Sequence, residues 1–314
     1  MNRRHYRKSN YRKRRIKNII IISIIASIVL FIIFLIMGLS LAEKKKQFDI
    51  NDYDFENNNE TDEENLREVV NVSAYPLPLL EDGSSFSSRL ANIKEDATSV
   101  CISLNKPDGT LLFRSSLASS FSYLNVASDA QNLSNCANTI ADKGLYATAT
   151  LYLPTFEDTN DDLRADVELA IWGSIVCEAI RDGIGDVLLI ADNASEDDVE
   201  KLCALADRIH ITEESAIIGL CLPNSVLEAE KSVSLIEKLS KKFNYLAFNA
   251  TNLEGEGTVL ETTEKAIAEM QLQLMYYKMR VLLSRSSNTE ELDKLIEIVT
   301  KYSITSWQVV PFNY

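Results

Sequence analysis

Asp192, Glu157 and Asp158 are the residues of this 314-residue chain whose type and placement suit bond-breaking chemistry. Each follows an apolar stretch that reads as a β-strand, LYATATLYL before Glu157 and Asp158, and VLLIA before Asp192. Paired carboxyls on neighbouring strand ends suit glycoside hydrolysis, which needs them about 5 Å apart for retention or roughly 6.5–9.5 Å apart for inversion. The competing reading is structural: Asp158 lies in EDTNDD, a solvated loop leading into a helix, and Asp192 suits a turn. Other chemistries are poorly supplied. His210 is the one histidine beyond the N-terminal tail, so Ser-His-Asp and Cys-His mechanisms lack their base. Cys101, Cys136, Cys177, Cys203 and Cys221 are scattered among apolar residues without a C-x-x-C pair, and read as buried free thiols rather than zinc ligands. Neither a metal nor a cofactor is expected.

The other predicted strand ends carry Asn105 and Asp108, Asn193, Asn224, Asn249 and Asn252, and Arg285. Amide side chains hydrogen-bond sugar hydroxyls but cannot act as general acids, so these residues read as a ligand-binding rim. Trp172 falls in the middle of a predicted helix and Trp307 in the middle of a predicted strand, which points to core packing for both. Glu178, in the last turn of its helix, reads as structural or solvent-facing.

Alternating elements must position this rim. The organising stretch is ELAIWGSIVCEAIRDGIGDVLLIADN, residues 168–193: an amphipathic helix, a turn at Gly183 and Gly185, and a strand apolar on both faces. Strands are predicted over 69–75, 99–104, 145–153, 186–191, 216–222, 243–249, 278–283 and 304–310. Helices are predicted over 87–94, 128–143, the stretch ending before Gly183, 195–208, 225–241, 261–276 and 289–302, with Ser195 as an N-cap ahead of three acidic residues. Eight strands alternating with helices across residues 69–314 predict a (β/α)8 TIM barrel. A doubly wound sheet is the alternative, but no Gly-rich phosphate loop follows the first strand.

Charge and hydropathy divide what comes before. Residues 1–17 hold nine lysines and arginines, which leaves a net charge of −23 on the rest of a chain whose total is −14. So acidic a remainder argues against nucleic-acid binding by the folded domain. Residues 18–42 are uncharged and rich in Ile, Leu, Phe and Val, long enough to cross a ~30 Å hydrocarbon core as one helix. A cleaved signal peptide ending at Ser40-Leu41-Ala42 is the alternative, but the apolar run exceeds the ~7–15 residues of a signal h-region. The basic flank predicts a cytoplasmic N-terminus and an extracellular remainder. Residues 43–68 are acidic and aperiodic, and read as a disordered tether between a single-pass membrane anchor and the barrel.

Three segments, SVCISLNKPDGTLLFRSSL (99–117), KGLYATATLYLPTFED (143–158) and WGSIVCEAIRDGIGDVLLIAD (172–192), lie in the order found in one family. The chain resembles the bacterial DUF4015-type glycoside hydrolases, membrane- or wall-associated barrels. The resemblance implies a glycosidase-like fold over residues 69–314 and pairs Glu178-Ala179 with the family's "EA" motif. It also marks departures. Ser103 and Asn105 stand where the family carries an aspartate and a lysine, and Thr150 stands where it carries an arginine. Ile190, Ala191 and Asn193 stand where it carries aspartate, tyrosine and arginine. The expectation is a membrane-anchored barrel that has lost hydrolysis and binds cell-wall glycan or an envelope protein. An active glycosidase using Asp192 with Glu157 or Asp158 is the first alternative, and a purely structural envelope protein the second.

Overall fold

The computed structural model describes residues 69, 71–80, 84–95, 97–118, 120–121, 124–153, 162–227, 232–250, 258–277, 279–284 and 289–311. The apolar run 18–42 and the acidic segment 43–68 lie outside them. Among the described residues, no helix is long and apolar enough to cross a membrane.

Eight strands close a parallel barrel: β1 (Ser73–Pro76), β2 (Ser99–Ser103), β5 (Tyr146–Tyr152), β6 (Asp186–Ile190), β7 (Ile218–Cys221), β8 (Tyr245–Asn249), β9 (Arg280–Ser284) and β10 (Trp307–Val310). Strand β10 pairs back to β1 through Ser73–Trp307 and Ala74–Gln308, and this contact closes the ring. Helices α1 (Phe86–Ala91), α2 (Leu133–Asp142), α3 (Asp162–Arg181), α4 (Val199–Thr212), α5 (Asn224–Leu227), α6 (Ser232–Leu239), α7 (Val259–Tyr276) and α8 (Thr289–Lys301) lie between the strands in sequence. This is the (β/α)8 architecture that the alternation predicts.

Between β2 and β5 the structure departs from expectation. Residues 128–131, predicted as the start of a helix, belong instead to strand β4 (Val126–Gln131), which pairs in parallel with β3 (Leu111–Phe113). Asn132 marks the switch, because its side-chain oxygen accepts from Asn135 N at 2.8 Å and so starts α2 there. Of the helix predicted over 225–241, the described residues form α5 and α6. Ser195 starts the next helical stretch as expected: its amide and hydroxyl both donate to the Asp198 carboxylate, at 2.9 and 2.7 Å.

Strand periodicity sorts side chains into two cores. Val187, Leu189, Val100, Ile102, Leu220 and Phe248 face outward into the large cluster shared with the helices, Trp172 and Trp307 among them. Leu188, Ile190, Tyr152, Cys221, Ala247, Leu282 and Val310 face into the barrel. All five cysteines are free and buried, as read from their settings.

At the N-terminal ends of the strands the interior is polar. Arg280 and Asp186 are each 1% exposed and form a two-armed ion pair, with Nη1–Oδ1 at 2.9 Å and Nη2–Oδ2 at 3.3 Å. The same Nη1 donates to the hydroxyl of Tyr245 and to Gln308 Oε1, each at 2.8 Å. Thr148 and Tyr245 donate their hydroxyls to Asp186 Oδ1 at 2.6 and 2.7 Å. The guanidinium lies 3.8 Å from the centre of the Tyr245 ring. Burial is the largest single influence on Arg280 and opposes its charge, but Asp186, Tyr245 and Tyr146 together outweigh it and hold the guanidinium pKa above its usual value.

Glycines make room for this layer. A Cβ at Gly219 would lie 2.2 Å from the Tyr245 ring, and one at Gly185 would lie 2.3 Å from the Tyr146 ring. The turn into β6 therefore needs its two glycines for different reasons. Gly183 takes the left-handed conformation, with φ +103°, while Gly185 is required by close approach.

Removing one partner of the ion pair leaves an uncompensated buried charge, so Asp186→Ala should cost about 3–5 kcal/mol of stability. The double variant Asp186→Leu/Arg280→Met should lose less than Asp186→Ala alone. Urea unfolding of the barrel followed by circular dichroism measures both.

Candidate functional site

In a barrel of this kind the C-terminal strand ends carry the chemistry. The residues expected there separate into three groups: those used to build the barrel, those at the mouth, and those outside the described residues.

Asn105 belongs to the first group. Strand β2 ends at Ser103 while β5 runs on to Tyr152, and Asn105 fills the gap. Its Nδ2 donates to the carbonyl of Tyr152 at 2.9 Å, and its Oδ1 accepts from the amide of Tyr152 at 2.8 Å. The side chain thus extends the ladder by one rung, is fully buried, and is not a ligand-binding group. Ser103 and Thr150, also fully buried, hydrogen-bond each other at 2.7 Å. Ile190 packs in the interior cluster. Four positions where the resemblance would put charged strand-end groups, those of Ser103, Asn105, Thr150 and Ile190, are therefore buried within the barrel.

Asn249 and Asn224 brace the next two strand ends. Asn249 is 3% exposed, and its carbonyl accepts from Asn224 Nδ2 at 2.9 Å. Asp108 is not on the rim either. Its Oδ1 accepts from Thr110 N at 2.9 Å in an exposed turn, and this backbone hydrogen bond holds its pKa below the ordinary carboxylate value. A Cβ at the neighbouring Gly109 would lie 3.8 Å from the indole of Trp172, on the helix layer. Glu178 binds the segment after β3, accepting from the Ser115 hydroxyl and, at 2.7 Å, from Ser116 N. It is structural, as expected.

What remains at the mouth is Asp192, with exposed Asn193 beside it in the turn after β6. Asp192 lies two residues past Ile190, in the turn that follows β6. Its charge pushes the Cys221 thiol pKa further up, after burial, the larger cause. Asp192 is half-buried, and burial alone raises its carboxyl pKa. It makes no hydrogen bond or ion pair among the described residues. Among these residues, no three His, Cys, Asp or Glu side chains converge as a metal would require. Glu157 and Asp158, the expected partners of Asp192, and Asn252 and Arg285 of the rim lie outside the described residues.

Two groups escaped the sequence reading. Asp186 and Arg280 each open an apolar strand, DVLLI and RVLLS, and a lone charge in that position is the available signal. Cys221 was read only as a buried thiol, and its place beside the end of β6 follows from the β6–β7 register, Ile190 against Cys221.

No protein-family model matches the chain, and no curated protein sequence matches it. Solved structures similar to it include a GH18 chitinase from Pseudoalteromonas aurantia, 12% identical with a TM-score of 0.46, the match covering 69% of this chain and 86% of that one. An L-ribulose 3-epimerase is 13% identical with a TM-score of 0.46, over 75% of this chain and 80% of that one. The Bacillus cereus spore cortex-lytic enzyme SleL is 12% identical with a TM-score of 0.43, over 68% and 50% of the two chains. These are barrels of sugar-processing enzymes, and at such identities the likeness concerns the fold alone.

The environment of Asp192 sets the sign of a pH effect. Burial raises its pKa in the folded state above the unfolded value, so the ionised carboxylate destabilises the fold, and protonation at low pH relieves the penalty. Asp192→Asn should therefore raise the melting temperature at pH 7. The gain should shrink as pH falls through the folded pKa and vanish below the unfolded one. Melting curves of the two proteins at a series of pH values check this.

Proposed function

We propose that the chain is a membrane-anchored barrel displayed outside the cell, which binds envelope glycan and does not hydrolyse it. One observation carries the loss of hydrolysis. The inward side chains on the adjacent strands β2 and β5 are neutral and hydrogen-bonded to the barrel itself, Ser103 to Thr150 and Asn105 to the Tyr152 backbone. A glycosidase needs two facing carboxyl groups. The described mouth supplies one, Asp192.

The anchor rests on the uncharged run 18–42 behind nine basic residues, and the outward orientation on that basic flank. On this reading the acidic segment 43–68 holds the barrel off the membrane as a self-repelling tether. The glycan contact falls at the ends of β6 and β7, where Asp192 and Asn193 carry hydrogen-bonding groups that the barrel does not use.

A second reading keeps its standing through Asp192. A half-buried carboxyl with a raised pKa is the form a general acid takes, and Glu157 or Asp158 would be its partner.

The full-length chain in nanodiscs, incubated with purified cell-wall glycan, should sediment with the glycan and release no new reducing ends. Reducing ends that appear with the wild type and vanish with Asp192→Asn would establish the glycosidase instead. Failure to sediment with glycan would favour a protein partner or a purely structural role. In bacterial cells expressing the chain, the barrel should resist extraction by alkaline carbonate and be cleaved by protease added outside.

A further inference from the structure

We draw no further inference here: the strongest candidate, the apolar surface at the C-terminal ends of α4 and α7 where Ile211 and Tyr276 are exposed, carries none, because nothing in the structure shows what covers it.

Discussion

The buried pair Arg280–Asp186 is the constraint on which the rest of the barrel depends. It joins β9 to β6 across the interior, and its hydrogen bonds recruit Thr148 from β5, Tyr245 from β8 and Gln308 from β10. Five of the eight strands therefore meet at one guanidinium and one carboxylate. Two charges removed from water are tolerated when most of their donors and acceptors are met, as the two Nη groups of Arg280 and the Asp186 carboxylate are here, although Arg280 Nε is without a partner. That condition fixes register. A one-residue slip of β9 would turn Arg280 outward among the helices and leave Asp186 alone inside.

Placing ionic groups at the N-terminal layer has consequences upward. Tyr245 must lie flat for the guanidinium to stack on its ring, and only glycine at position 219 leaves the space. Above this layer the interior turns apolar, through Leu188, Ile190, Ala247, Leu282 and Val310. The layer near the C-terminal ends of β2 and β5 is polar again but neutral, and its groups satisfy each other. In such a barrel the amide-rich edge has a structural purpose. Strands of unequal length leave unpaired backbone groups at the rim, and an asparagine can satisfy an amide and a carbonyl at once, as Asn105 does for Tyr152.

The fold was legible because it is written in period. The eight strand segments alternate with helical ones, and each barrel strand falls within or beside its predicted span. Where prediction failed, a tertiary contact overrode the local pattern. Residues 126–131 pair with Leu111–Phe113, a contact that no helical period announces, and Asn132 rather than Ser128 starts the helix. The site was less legible for a different reason. Asn105, Asn224 and Asn249 have the composition of a sugar-binding rim, and composition does not say whether an amide faces a ligand or the backbone of the next strand. Asp192 was legible because it follows an apolar strand, and the fate of a strand-end carboxylate depends on whether a donor is near, a matter of fold rather than of spacing.

Strand β6 carries the contrast within itself. Asp186 opens the strand and Asp192 lies in the turn just past its end. The first accepts from Arg280, Thr148 and Tyr245. The second accepts from nothing described, and burial raises its pKa. A fold selected for stability alone would neutralise that position, since an amide of the same shape would avoid the penalty without moving the backbone. An uncompensated carboxylate near the open end of a barrel is a local conflict. Conflicts of this kind mark the positions that function holds against stability. The proposed binding role gives Asp192, among the residues of the described mouth, a purpose other than the fold.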